Sequence, residues 1–444
     1  MGRLFGTDGI RGVANADLTP ALAFALGRAT AQRLGGPGAA IVVGRDTRRS
    51  GDMFVSAIAA GAASLGADVH LAGEIPTPGL AFLVADGDYA AGIMVSASHN
   101  PAQDNGLKVL DARGMKLDDG VEDEIEALIG RSDALGGVPN EAIGMIADVS
   151  SDLRARYVAH RSAHASSFRT DLHVVIDGAN GSGARVAPGI LAATGARVEV
   201  VHDAPDGTNI NLRCGATDPA SLAVEVVARG ADLGFALDGD ADRCVAVDAS
   251  GRIVDGDQLI GLLALERIAR GVLPHGRVVA SVLSNGGLEA ALDAAGGSLV
   301  RTPVGDKYIL EGMLANDAGL GGEKSGHVIF RELSSSGDGI VTALEVLRVV
   351  SASRTPIADL AARIRLFPQE QRAVRVQHKE RWETDPVIVR AVDDARSRLG
   401  DAGRILVRPS GTEPALRIMV EGPDALLVAE LADRIGALAE ERLH

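Results

Sequence analysis

The sequence predicts an α/β protein: three similar α/β units with mixed sheets and a smaller C-terminal α+β unit, arranged around one central cleft. Three observations carry that expectation. Helix-like and strand-like runs alternate through most of the 444 residues. The pattern begins afresh twice, at His173-Val174-Val175-Ile176-Asp177 and at Arg277-Val278-Val279-Ala280-Ser281. A polar or glycine-rich loop then interrupts or ends a strand once in each unit, and ligands of open α/β sheets gather at the carboxyl ends of strands.

Residues 19–35 read as a helix, and Ala40–Gly44 as a strand ending at Arg45-Asp46. A helix at 51–65 and a strand at 67–72 follow. An apolar run from Ala90 to Val95 stops abruptly at Ser96. A polar stretch near 148–170 precedes the first restart. In the tail, Ala373-Val374-Arg375-Val376 alternates as a strand, before a helix, two strands and a last helix. The chain is too long for one core, and the expected units are 1–150, 151–252, 253–368 and 369–444. They share a pattern without an exact sequence repeat.

Composition excludes several function classes. Apolar residues make up 46%, which fits a globular chain, and no run reaches the roughly 18 apolar residues that span a bilayer. The start, Met1 to Asp8, lacks the apolar segment of a secretion signal. Two cysteines, Cys214 and Cys244, make no disulfide framework, and the expected compartment is cytoplasmic. A net charge of −15 and 3% aromatic content argue against nucleic acid as partner. Cations that hold an anionic substrate must then be concentrated locally. A homodimer is an assembly the sequence leaves open.

The chemistry-bearing residues sit in the four loops. Ser96-Ala97-Ser98-His99-Asn100-Pro101 places a hydroxyl nucleophile, a proton carrier and a chain-turning pair in sequence. It lacks the Gly-x-Ser-x-Gly elbow of hydrolases, so nothing favours Ser98 as a hydrolase nucleophile, although sequence leaves that reading open beside a solvated turn residue and a phosphate carrier. Alternation along a strand puts Ser96 and Ser98 on one face, so spacing does not separate them. Asp238, Asp240 and Asp242 stand at i, i+2 and i+4 after the strand Leu233–Leu237 and share a face if extended. Three hard oxygen donors suit Mg²⁺ or Ca²⁺. An EF-hand fails, because Arg243 stands where its glycine is required and Ala249 where its glutamate is. Arg243 borders this loop.

Lys108 lies ten residues after Ser98; it is a general acid or base if its pKa is lowered, and otherwise a solvated lysine. His99 is a proton carrier or a hydrogen-bonded loop residue. Gly322-Glu323-Lys324-Ser325-Gly326-His327 breaks the P-loop spacing and suits a polyol better. Arg408-Pro409-Ser410-Gly411-Thr412-Glu413-Pro414 reads as an anion cradle or an ordinary turn, with Arg417 on the next strand. The glycines after His173–Asp177 miss the dinucleotide fingerprint, which removes NAD.

Taken in order, these loops and Phe5-Gly6-Thr7-Asp8-Gly9-Ile10-Arg11-Gly12 resemble the α-D-phosphohexomutase superfamily over essentially the full length. The amino-terminal stretch, Arg301–Tyr308 and the length draw it to the bacterial branch acting on glucosamine phosphates. Lys307 and Lys324 depart from that branch's usual residues. The resemblance implies that Ser98 is a phosphoserine and that Asp238, Asp240, Asp242 and the Ser98 phosphate hold one Mg²⁺ per subunit. Lys108 would be general base and acid, helped by Arg11 and His99. Glu323 and Ser325 would bind sugar hydroxyls. Arg408, Ser410, Gly411, Thr412 and Arg417 would bind the non-reacting phosphate, and Arg243 would add positive charge. The implied reaction interconverts glucosamine 6-phosphate and glucosamine 1-phosphate through a 1,6-bisphosphate, which also serves as activator. Its product would feed UDP-N-acetylglucosamine and cell-wall precursor synthesis. The rivals are a glucose or mannose phosphomutase of the same superfamily, a metal-dependent sugar phosphatase and a non-catalytic phosphosugar sensor.

Overall fold

The computed structural model describes residues 4–6, 8–410 and 414–444. The first sheet contains β1 (Ile10–Val13), β2 (Ala40–Arg45), β3 (Asp68–Glu74), β4 (Tyr89–Val95), β5 (Asp104–Asp111) and β6 (Ile146–Asp148), in the order β1-β5-β4-β2-β3-β6. Its middle is parallel, while β5 runs antiparallel to both β1 and β4. Ile93, Met94 and Val95 on β4 are wholly buried, as a strand covered on both faces requires.

The second sheet contains β7 (His173–Asp177), β8 (Arg197–Val201), β9 (Leu233–Leu237), β10 (Cys244–Asp248) and β11 (Ile253–Val254), ordered β11-β10-β9-β7-β8. The third contains β12 (Arg277–Ser281), β13 (Ser298–Thr302), β14 (Leu320–Gly322) and β15 (Val328–Phe330), ordered β13-β12-β14-β15. Each has a parallel part and one antiparallel partner strand, so the mixed sheets are as expected. The fourth is an antiparallel sheet of β16 (Gln369–Arg375), β17 (Arg404–Pro409) and β18 (Ala415–Glu421). Helices Pro386–Leu399 and Ala425–Arg442 pack with this sheet, giving the smaller α+β unit.

Two local readings change. The helix expected over 19–35 is α-helical only at Pro20–Thr30, then widens into a π-turn at Ala31–Gly35. Gly36 follows with φ 105° and Pro37 stands next, so the last turn cannot continue as a regular helix. The polar stretch near 148–170 contains a helix, Ser150–Ala165, with Leu153, Tyr157, Arg161 and Ala165 buried. It packs on both the first and second units. Its apolar face is sparse because buried Arg161 pairs with Asp338 at 2.9 Å.

One apolar cluster runs through the first three units, from Val42 and Tyr157 through Val174 and Phe235 to Leu344 and Ile364. The C-terminal unit has a cluster of its own, including Ile388, Leu416, Ile418 and Leu431.

Candidate active site

Ser98 follows β4 where extended pairing ends. Its φ is 53°, a left-handed conformation that a serine holds only when its surroundings fix it. Strand alternation therefore stops before Ser98, and the two serine hydroxyls do not share a role. Ser96 Oγ donates to Asp46 Oδ2 at 2.6 Å and accepts the Ser98 backbone N–H at 2.9 Å. Ser98 Oγ donates to Asp238 Oδ2 at 2.6 Å, and His99 Nδ1 lies 3.3 Å from it. Ser96 is a structural post; Ser98 faces the acidic loop.

Sequence reasoning missed the scaffold of that turn. Asp46 and Arg48 form a fully buried ion pair at 2.9 Å. Arg48 then donates to the carbonyls of Ser98 at 3.0 Å, Asn100 at 2.7 Å and Asp104 at 2.9 Å. These residues lie some 50 positions away, and only the parallel pairing of β2 with β4 brings them together.

The three aspartates converge, but through a turn and not an extended segment. Ala241 N–H donates to the Asp238 carbonyl at 3.0 Å, and Ala241 itself has φ 56°. One oxygen from each carboxylate lies within 4.8 Å of the others, and all three side chains are buried. Oδ1 of Asp240 and Oδ1 of Asp242 are buried without a hydrogen-bond partner among the described residues. Thr77 Oγ1 donates to Asp240 Oδ2 at 2.5 Å. Burial, then Asp242 and Asp240, push the Asp238 carboxyl well above the usual range. Burial works the same way on Asp242, but His327, Lys108 and Arg243 outweigh it and lower its pKa. Such a cluster of hard oxygen donors, with orphaned lone pairs, fits a divalent cation.

Lys108 projects from β5 into this centre. Its Nζ lies 2.9 Å from Asp240 Oδ2 and 3.1 Å from Asp8 Oδ2. Burial alone would lower its pKa; Asp240, Asp8 and Asp242 more than reverse that, and the ammonium is the favoured form. The lowered pKa that a basic lysine needs is thus absent here. Asp8 was not singled out from sequence, yet it joins Lys108, Arg11 and Lys116. Lys116 also reaches Asp306 of the third unit. Arg11 further donates to Asn100 Oδ1 at 3.3 Å. Burial, Arg243 and Arg11 push the His99 imidazole down to about 4, so it is neutral near pH 7.

A cleft of about 720 Å³ opens over these groups, lined by Asp8, Arg11, His99, Asp242, Arg243, Glu323 and His327 among others. Glu323 Oε1 accepts the Gly305 N–H at 3.1 Å, and Ser325 Oγ is buried without a partner among the described residues. Cys244 N–H donates to the Gly326 carbonyl at 2.9 Å, which seats this loop against the acidic one. Gly326 has φ 89°, and an added Cβ there would strike the Cys244 carbonyl, so glycine is required. Arg243 lies 3.9 Å from Asp242 and remains charged.

Arg408 and Arg417 face each other across β17 and β18 and line a smaller pocket of about 160 Å³ beside Leu283. Burial and the nearby Arg417 lower the Arg408 pKa. Ser410 is buried, while Gly411 and Thr412 lie outside the described residues. The structure thus gathers Ser98, His99, Arg11, Lys108, Asp238, Asp240, Asp242, Arg243 and Glu323. Arg408, Ser410 and Arg417 stand apart in the C-terminal unit.

Three α/β units and an appended small sheet, with a held serine over an acidic loop and a separate arginine pair, make an arrangement suited to phosphoryl transfer. Models of the four phosphoglucomutase/phosphomannomutase domains match residues 2–135, 155–251, 255–367 and 373–438. The chain is 50% identical to the phosphoglucosamine mutase of Moorella thermoacetica over 96% of both chains. It is 47% identical to that of Symbiobacterium thermophilum over 100% of both. A phosphoglucomutase/phosphomannomutase family protein from Burkholderia thailandensis shares the fold, with TM-score 0.82 at 24% identity, covering 99% of this chain and 98% of that one. The chain belongs to the phosphoglucomutase/phosphomannomutase family and is an isomerase, a phosphohexomutase.

Proposed function

We propose that the protein interconverts glucosamine 6-phosphate and glucosamine 1-phosphate by passing a phosphoryl group through Ser98. The observation that carries this reading is Ser98 Oγ held 2.6 Å from Asp238, in a strained turn whose next residues, His99 and Asn100, line the cleft. Phosphorylated Ser98 gives its phosphoryl group to the free sugar hydroxyl and a 1,6-bisphosphate forms. The intermediate turns around, and its other phosphoryl group returns to Ser98. Such transfer needs alignment and charge neutralisation above all.

Asp238, Asp240, Asp242 and the Ser98 phosphate are the residues that would hold Mg²⁺. Bound there, the cation supplies Lewis-acid neutralisation of the transferring oxygens. Lys108 and Arg11 stand beside this centre as held cations. In each transfer the attacking hydroxyl loses one proton and the departing oxygen gains one; Lys108, favoured as the ammonium, supplies the second and is restored by the first, acting as general acid and base. Neutral His99 orients the serine hydroxyl. Arg243 adds positive charge at the cleft wall. Glu323 and Ser325 meet sugar hydroxyls, one as acceptor and one as donor and acceptor. Arg408 and Arg417, with Ser410, Gly411 and Thr412, hold the phosphate that is not reacting.

The amino-sugar substrate is supported by near-full-length identity of about half to enzymes named for it. A homodimer and a cytoplasmic location belong to the same reading. A coupled assay with Mg²⁺ and a hexose 1,6-bisphosphate primer tests it, comparing glucosamine 6-phosphate with glucose and mannose 6-phosphates. Preference for the amino sugar is expected. Preference for either hydroxyl sugar would move the protein to a sibling branch, and stoichiometric release of inorganic phosphate without primer would make it a phosphatase.

A further inference from the structure

The nucleophile belongs to the first unit and the metal-type carboxylates to the second, so a device must keep the two in register. The geometry points to Asn211, a residue of the loop between β8 and the helix Ala220–Arg229, which we propose is a positioning residue for Ser98. This rests on Ser98 being the phosphoryl carrier. Asn211 Nδ2 crosses from the second unit and donates to the Ser98 carbonyl at 2.9 Å and to the Asn100 carbonyl at 3.2 Å. These are the same two carbonyls that Arg48 holds from the first unit. The strained turn is therefore pinned from both sides, once by a buried cation and once by a neutral amide.

The loop that presents Asn211 is itself tied down. Asn211 N–H donates to the Ala179 carbonyl at 2.9 Å. Buried Asp177 accepts the N–H groups of Ala179 and Gly215, each at 2.8 Å, and lies 3.1 Å from His202. Thr47 Oγ1 reaches the Asn180 carbonyl at 2.6 Å, and Arg49 N–H reaches the Gly207 carbonyl at 2.9 Å. Asn211 has φ 57°, a conformation that asparagine tolerates better than most residues.

Gly239, between the first two metal-type aspartates, closes the junction. A Cβ at Gly239 would come within 2.7 Å of the Ser98 carbonyl and 3.0 Å of Asn211 Nδ2. The acidic loop, the serine carbonyl and the Asn211 amide thus meet at a point with no room for a methyl group. Removing the amide releases the Ser98 carbonyl on the side that faces the acidic loop. Phosphoryl transfer is sensitive to such misplacement: about 1 Å costs on the order of 100-fold.

The test is a set of full-length variants assayed with Mg²⁺, bisphosphate primer and glucosamine 6-phosphate, with melting temperature measured beside kcat and KM. Asn211→Asp keeps the shape and removes the donor. Asn211→Gly keeps the left-handed backbone and removes the side chain. Both are expected to lower kcat about 10- to 100-fold with KM within about twofold. Leu212→Ala, at an exposed neighbour in the same loop, is expected to leave kcat unchanged. Wild-type kcat in Asn211→Gly would show that only the backbone conformation matters and would overturn the proposal. A loss that follows melting temperature alone, or that appears wholly in KM, would also overturn it. Ser98→Ala in the same assay separates the two claims. An active Ser98→Ala overturns the carrier reading, whereas an inactive Ser98→Ala with unimpaired Asn211 variants overturns Asn211 alone.

Discussion

The junction between the first and second units and the junction between the third and fourth are built on different principles. At the first, apolar core runs continuously beneath, and the reacting groups themselves bridge the units. Ser98 bonds Asp238, Thr77 and Lys108 bond Asp240, and Asn211 bonds the serine turn. At the second, the two cores are separate and the contact is polar. Glu421 accepts the Gly286 N–H at 2.9 Å and pairs with Arg404 at 3.0 Å, while Arg404 reaches the Ser284 carbonyl at 2.7 Å. Lys324 of the sugar loop donates to Gln369 Oε1 at 3.0 Å, and Gln369 reaches the Leu283 carbonyl at 3.0 Å. One junction ties the serine turn and the acidic loop together through shared core and direct hydrogen bonds. The other attaches the distal arginine pair through exchangeable hydrogen bonds, as a module that must accept two substrate orientations would need.

That contrast is open to direct attack. The largest effect is expected at the rigid junction. Asp240→Asn removes a charge that faces Lys108, Thr77 and the cation position, and kcat is expected to fall about 10²- to 10⁴-fold, with metal affinity by calorimetry falling in parallel. Unchanged Mg²⁺ affinity would remove Asp240 from the ligand set. At the distal pair, Arg408→Ala is expected to raise KM about 10- to 100-fold with a smaller effect on kcat, since charge-assisted bonds to the non-reacting phosphate are lost. A pure kcat defect would place Arg408 at the reacting phosphate instead.

Glu421→Gln sharpens the comparison further. It leaves an acceptor for Gly286 but ends the ion pair with Arg404, at a cost of about 1–3 kcal/mol. Hydrogen exchange should quicken in residues 369–444 and stay unchanged in the serine turn; equal quickening in both would mean that the two junctions are not independent. The smallest effect concerns Asp257, whose carboxyl is pushed up to about 6 by burial and by Asp255, beside Asn285 and the third–fourth junction. The folded chain binds that proton more tightly than the unfolded one, so its contribution to stability is present below about pH 4 and is lost as pH rises through 6. Asp257→Asn should therefore gain on wild type in melting temperature over that window, and a constant difference would contradict the assignment.

Much of this was legible in sequence, for identifiable reasons. Strand-ending loops announced the α/β units, and the spacing of Asp238, Asp240 and Asp242 announced a convergent acidic cluster able to hold a cation, even though the backbone there turns at Ala241. Spacing alone did not separate Ser96 from Ser98, and only the family resemblance singled out Ser98, because the distinction lies in the left-handed backbone at Ser98 and in Asp46, fifty positions upstream of Ser96. Thr77 and Asn211 were illegible for the same reason: each acts on a residue far away in sequence and carries no local pattern, and Asp8, though inside a quoted motif, meets Lys108 only through the fold. Lys108 lies beside the acidic loop, and its two carboxylate partners, which decide its proton, come from the N-terminal loop and from another unit. The helix at 150–165 was obscured by its buried Arg161, whose partner Asp338 lies in the third unit.

The central claim is that Ser98 carries a phosphoryl group between turnovers while Ser96 only holds the turn. Intact-mass measurement and mutase assay of wild type, Ser98→Ala and Ser96→Ala test it together. The expected result is one added phosphate on wild type, none on Ser98→Ala with activity down by at least about 10⁴-fold, and a phosphorylated but less stable Ser96→Ala. Phosphate retained on Ser98→Ala, or full mutase activity in that variant, would contradict the account.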